Sequence, residues 1–346
     1  SRALMDTASA SSPVTDSAAA SSSFGSGHRV KNGVLNIGLN GEKYLPIWQK
    51  FKNAGKKAGC VTTVTITHAT PAGFCVNSDS RNAENEIAEM YAELGFDVMM
   101  GGGDEFFNPS KRKDKKDIYK IYEEKGYQVL KEKSDLDNIK KGGKTLGIFA
   151  AGALPYTIDR NNISELQKTP TLAQMSATAI DQMKDHKNGF VLLIEGGKVD
   201  WAAHANDIAA LIHDQLAFDE AVKTAIDFAE KDKETLVIIT TDHGNANPGL
   251  IYGANAKENF DNIADYKYTN EYILNSIHAD FNLQQIKDWV KETNKISLTD
   301  DEAKHLKDFY SGLEKQEDGL YNYKKLPFKA YSEIQKKHNN VGWISM

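Results

Sequence analysis

The stretch FVLLIEGGKVDWAAHANDIAALIHDQLAFD, residues 190–219, limits what this chain can become more than any other. Phe190 to Ile194 is an unbroken apolar run that predicts a buried strand. It ends on the acid Glu195, two glycines turn the chain, and a long amphipathic run follows. Asp200 and His204 stand four apart at the start of that run, a spacing that puts both on one face of a helix. A carboxylate and an imidazole converging beside an acid at a strand end suit a divalent cation better than a packing surface.

A second unit of the same kind follows. Leu236 to Thr240 reads as another apolar strand, with Asp242 and His243 directly after it. An open α/β sheet gathers its active site where the loops at its strand ends converge on one crevice. Further strands are predicted over β-branched Cys60–Thr67, the short run Phe96–Gly103, and residues 144–150 (KTLGIFA). The three glycines closing Phe96–Gly103 match neither GxGxxG nor a GKS/GKT loop, so nucleotide binding gains little from them.

Helices are predicted over residues 44–59, closed by glycine, and over TPTLAQMSATAIDQMKDH, which has a Thr cap and a proline at its start. The run IYKIYEEKGYQVLKEKSDL reads as helix, short strand, helix, and the lysine-rich Lys111–Lys116 as a solvated face. Residues 250–325 change character, becoming polar, Tyr/Lys/Asn-rich and helical. The expected division is a core α/β domain over 1–249, an insertion or lid over 250–325, and a return to the core over 326–346.

Composition removes several function classes. With 40% hydrophobic and 26% charged residues, 346 residues can bury a large core as one big domain or two. A net charge of −6 gives no basic footprint for nucleic acid, and no apolar run is long enough to span a membrane. Cys60 and Cys75 are too few for a disulfide framework and read as buried free thiols. His28, His186, His278, His305 and His338 lie in polar contexts and read as surface residues, and His213 as a partly buried helix histidine.

Three other places offer chemistry beside a plainer alternative. Residues 1–27 are dominated by small side chains, which favours a disordered low-complexity tail. Yet Ser17 stands directly before an Ala/Ser run able to pack as a tight helix, whose N-terminal potential favours an alkoxide or a phosphoryl group. Thr70, within HATPAGF, either caps a helix or offers a hydroxyl to a hard cation. Arg81, before a predicted helix, is either solvated or grips phosphate with its planar fork.

Taken together, TDSAA, HATPA, DSR, EGGKVDWAAH and TTDHG occur in an order that resembles the alkaline phosphatase family across nearly the whole chain outside residues 250–325. The resemblance implies a three-layer α/β/α sandwich around a large, mostly parallel central sheet, with a helical insertion. It implies phosphomonoester hydrolysis with Ser17 as the residue that becomes phosphoserine and Arg81 gripping the phosphate. Asp200 and His204 would bind a first zinc, and Asp242, His243 and Ser17 a second. Thr70 and Glu195 would bind a magnesium. Two zinc ions about 4 Å apart stabilise both oxygens of an in-line displacement. His68 and Trp201 stand where enterobacterial members carry Asp and Lys, which implies altered phosphate affinity or metal preference.

The family's Asp-Gly motif expected before Ser17 and its HTG motif expected after GWISM are not matched. The expectation is therefore a chain trimmed at both ends, inactive and poorly folding by itself. The family further implies a secreted or periplasmic enzyme, often a homodimer, acting on small phosphomonoesters. The alternatives are another hydrolase of the same superfamily (a phosphodiesterase or sulfatase) and a non-catalytic relative that binds metal or phosphate. The surroundings of Ser17 and Arg81 argue against the first.

Overall fold

Five runs of β-branched and apolar residues pair into one parallel sheet. A computed structural model describes residues 5–278, 280–310 and 326–344. The strands are β1 (Lys57–Thr65), β2 (Val98–Gly102), β3 (Gln128–Leu130), β4 (Thr145–Ile148) and β5 (Phe190–Glu195), in the order β3-β4-β2-β1-β5. β1 is flanked by β2 and β5, and its register sets Thr62 opposite Glu195. Successive strand residues face opposite ways, so one strand supplies two cores. Ala58 and Cys60 of β1, Met99 of β2 and Val191 and Leu193 of β5 enter one cluster with the helices Ile47–Asn53, Ala69–Cys75 and Glu84–Leu94. Val61, Val98 and Met100, with Phe190, Leu192 and Ile194, enter the other, against the helix Leu172–Met183. Helices thus cover both faces of a mostly parallel sheet, the α/β/α sandwich expected.

Local signals account for the helices. Thr171 and Gln174 form a reciprocal capping box that starts Leu172–Met183, at 2.9 and 3.1 Å. The run after Glu195 is two helices, Gly197–His204 and Ile208–Asp232, separated where Asn206 takes a left-handed φ of 51°. Cys60 and Cys75 are buried free thiols, as expected, with sulfurs 3.7 Å apart.

The Ser/Ala-rich beginning is not a disordered tail in its described part. Ser17–Ser26 is a helix with Ser17 to Ser23 buried, and its small residues are needed for close approach to the helix Ala69–Cys75. A Cβ on Gly25 would lie 2.0 Å from the Gly73 carbonyl oxygen, and one on Gly73 would lie 2.0 Å from Ser21 Oγ. Ser21 Oγ donates to the Ala69 carbonyl at 3.0 Å across this contact.

Two expectations fail in the described residues. Leu236–Thr240 forms no strand: Leu236, Ile238 and Ile239 are exposed, and no described strand pairs with them. The composition suits a strand, but a strand exists only as part of a ladder. Nor is Lys111–Lys116 wholly a solvated face. Arg112 is 1% exposed, donating to the carbonyls of Asn85 and Phe106 and to Glu89 and Asp114. A buried guanidinium with all these acceptors holds three segments together.

By its contacts the chain divides into two compact units, Ser1–Pro155, Lys168–Gly197 and Ala217–His243 forming the first and Tyr156–Gln167, Lys198–Leu216 and Gly244–Met346 the second. The first holds the sheet. The second is helical, with Ile208, Ala210, Ile273, Ile286, Val290 and Tyr331 among its core residues. A short antiparallel pair joins Gly249–Leu250 to Val341–Gly342 there. Parts of the expected insertion, 279 and 311–325, lie outside the described residues, as do 1–4 and 345–346. Among the described residues no helix is long and apolar enough to cross a membrane.

Gly25→Ala must push two backbones apart, an overpacking cost of about 1–3 kcal/mol. Gly249→Ala, with open space around the new methyl, should stay within about 0.5 kcal/mol. Urea unfolding of both variants checks this.

Candidate active site

In the first unit the predicted residues lie at helix starts, at strand ends and in the segment after residue 240. Asp16, not Ser17, caps the Ser17–Ser26 helix: one carboxylate oxygen accepts from Ala19 N at 2.9 Å. Its other oxygen accepts from Gly33 N at 2.8 Å and from Arg81 Nη1 at 3.1 Å. Ser17 becomes the first helical residue, 6% exposed, in the positive potential of the helix end. Its Oγ lies 3.1 Å from His243 Nε2. Asp242 Oδ2 is 3.5 Å from the same His243 nitrogen, while Asp242 Oδ1 accepts from His243 N at 2.9 Å. Ser17, Asp242, His243 and Arg81 are thus drawn together through Asp16 and His243.

β1 ends at Thr65, and a short turn leads to His68 and the helix Ala69–Cys75, whose second residue is Thr70. Arg81 Nη2 lies 3.1 Å from His68 Nε2. A guanidinium has no acceptor, so it donates here and the imidazole is neutral at that nitrogen. His68 Nδ1 is shielded from solvent. Burial, aided by the Arg81 charge, holds its pKa down at about 3. Glu84 ties the two segments: its Oε2 accepts from Thr65 Oγ1 and Thr67 Oγ1, each at 2.7 Å. Burial pushes the Glu84 carboxyl up, and the two threonine bonds oppose that. On the neighbouring strand Glu195 Oε2 accepts from Thr62 Oγ1 at 2.6 Å, across the β1–β5 register.

The second unit carries the other predicted residues on the helix Gly197–His204. Asp200 Oδ1 and His204 Nε2 are 3.5 Å apart, as their four-residue spacing requires. Asn245 Nδ2 donates to Asp200 Oδ1 at 2.5 Å and to the Asp200 carbonyl at 3.3 Å. Trp201 is half-buried on the same helix. Among the described residues, no three His, Cys, Asp or Glu side chains form a group ready to hold a metal ion.

Sequence reasoning missed Asp16, Thr62, Glu84 and Asn245. Asp16 had a signal, an aspartate directly before a small-residue helix. The others act through tertiary contacts that no local pattern carries.

Because the folded pKa of His68 lies below the ordinary 6.5, the unfolded chain binds the extra proton first as pH falls. The contribution of this ring to stability is complete above about 6.5 and is lost toward about 3. The slope is at most about 1.4 kcal/mol per pH unit. Urea melts of chelator-treated protein should show less acid destabilisation in His68→Gln than in wild type; equal losses would contradict the assignment.

Comparison with known proteins identifies the family. The family model described as alkaline phosphatase matches residues 1–307. The chain is 34% identical over 340 residues to alkaline phosphatase 4 of Bacillus subtilis, covering 96% of this chain and 68% of that protein. Its fold matches the crystal structure of Thermus thermophilus alkaline phosphatase with a TM-score of 0.88 and 34% identity, over 99% of this chain and 74% of that one. A mutant alkaline phosphatase from TAB5, solved with Mg bound, matches with a TM-score of 0.63 and 32% identity, over 72% of this chain and 69% of that one. The chain therefore belongs to the alkaline phosphatase family, enzymes that hydrolyse phosphomonoesters.

Proposed function

We propose that this enzyme works through a phosphoserine intermediate on Ser17, at a site for two zinc ions and one magnesium. The observation that carries the reading is the Ser17 hydroxyl 3.1 Å from His243 Nε2 at the start of a buried helix. Arg81 is tied through Asp16 to that same helix end.

Donor chemistry and spacing support the metals. Two ligands each about 2.0–2.1 Å from a tetrahedral zinc lie about 3.3 Å apart. The pairs Ser17–His243 at 3.1 Å, Asp242–His243 at 3.5 Å and Asp200–His204 at 3.5 Å each fit such an edge. Asp200 and His204 would hold the first zinc, and Asp242, His243 and Ser17 the second. Thr70 and Glu195 offer oxygen alone, the preference of magnesium. When bound, these ions lower the pKa of a hydroxyl or water and offset charge on the reacting oxygens.

The chain's own groups supply the rest. Ser17 Oγ, its proton lost, bonds to phosphorus in line as the bond to the leaving alkoxide breaks. Water then attacks phosphorus, the Oγ–P bond breaks, and inorganic phosphate leaves with Ser17 restored. Arg81 presents a planar fork to two non-bridging oxygens, and Asp16 fixes its direction. His68, neutral, accepts from Arg81 without competing for the phosphate charge. His68 would be a neutral neighbour of the phosphate, where enterobacterial relatives carry a charged side chain. Family membership supports a homodimer in the periplasm or outside the cell.

Ser17→Ala should lower p-nitrophenyl phosphate turnover at alkaline pH by at least about a thousandfold. Arg81→Ala should lower kcat/KM by about a hundredfold. A chelator should abolish wild-type activity, with zinc plus magnesium restoring it. A Ser17→Ala variant that keeps wild-type turnover would end this reading.

A further inference from the structure

The second unit buries an unusual set of charges beside the residues assigned to the first zinc. Lys198, on the helix Gly197–His204, is 6% exposed, and Asp159, Asp207 and Asp214 are 8%, 2% and 4% exposed. The Lys198 ammonium lies 3.5 Å from the centre of the Tyr156 ring and 4.8 Å from that of Trp201. Asp214, Glu271 and Asp159 are the acids that act on it.

These acids are held rigidly. Asp214 accepts from Thr157 N at 3.2 Å and Thr157 Oγ1 at 3.0 Å. Asp159 accepts from Thr269 N and Thr269 Oγ1, both at 2.8 Å. Asp207 accepts from Ala210 N at 3.0 Å and Asn270 N at 2.5 Å. Burying a lysine without such surroundings would cost several kcal/mol. Burial indeed pushes the ammonium down to about 8, and Asp214, Glu271 and Asp159 oppose that.

A long flexible side chain needs no such cage for a surface role. Lys198 stands two residues before Asp200 and three before Trp201, so whatever holds it holds the helix turn that carries both. Trp201 rests against the same ammonium, which fixes its ring by a cation–π contact. Outer residues of this kind commonly change metal affinity about 10–100-fold when lost.

We propose that Lys198 is a positioning residue for the first zinc: buried on the Tyr156 ring and against Trp201, it locks the helix on which Asp200, Trp201 and His204 are presented. The inference rests on the metal assignment given under the proposed function. It adds a buried anchor, chemically distinct from the ligands, that sets how tightly zinc binds and how the Trp201 ring is oriented.

The test uses the full chain with Lys198→Met, Lys198→Arg and the double variant Lys198→Met/Asp214→Asn, which removes one charge of each sign in case the single variant fails to fold. Zinc affinity is read by competition with a chromogenic chelator, and amide protection of residues 197–204 by hydrogen exchange without zinc. Removing Lys198, alone or in the double variant, should weaken zinc about tenfold or more and lower protection of those amides. KM should rise more than kcat falls, and Lys198→Arg should restore all three readouts. Zinc affinity within about twofold of wild type, or unchanged amide protection, would overturn the proposal whatever happens to the melting temperature. If wild type itself binds no zinc, the metal assignment falls and this inference with it. If wild type and both Lys198→Met variants bind zinc alike, this inference alone falls.

Discussion

The serine's position depends on a backbone contact between two short helices. Ser17–Ser26 and Ala69–Cys75 approach so closely that neither Gly25 nor Gly73 has room for a methyl group. That contact joins the Ser17–Ser26 helix to the segment carrying His68 and Thr70, and so to the end of β1. Asn36 reinforces it from below, its Nδ2 donating to the Gly73 and Val76 carbonyls at 2.7 and 2.8 Å. A run of alanines and serines is therefore not low-information sequence here. It is the residue set that permits close helix packing while keeping backbone groups hydrogen-bonded.

Around this contact the first unit uses carboxylates as connectors. Asp16 joins a helix cap to Arg81, Glu84 joins two threonines, and Glu195 is joined to β1 by Thr62. Each fixes a segment that carries residues of the proposed site. The second unit follows a different rule. Burial pushes Asp159 and Asp214 up to about 6 and Asp207 up to about 7. Between the ordinary 3.8 and those values the folded form binds the extra protons, so these acids cost stability as pH rises. Such a cost is tolerated where the acids hold loops by backbone bonds.

The parallel sheet was legible because β1, β2 and β4 are buried on both faces and read as apolar runs. β5 was expected to be buried too, but at the edge of the described sheet it is only half-buried. The spacing of Asp200 and His204 was legible because helix geometry is local, and the 3.5 Å separation follows from it. Leu236–Thr240 misled because composition reports strand preference and not the presence of a partner strand. Arg112 misled because a charge run carries no sign of which member turns inward. The connectors Thr62, Glu84 and Asn245 were invisible for the same reason: their partners are fixed by tertiary structure.

The central claim is that Ser17 Oγ carries the phosphoryl group between two displacements. Its most direct test is to quench the full-length enzyme in acid during turnover and map phosphate on the peptide TDSAAASSSF by mass spectrometry. The account predicts phosphate on Ser17 alone and none on Ser21, Ser22 or Ser23, whose buried hydroxyls serve packing. Phosphate on any other residue, or turnover with no phosphoserine trapped under conditions that trap it in a family member, would contradict it.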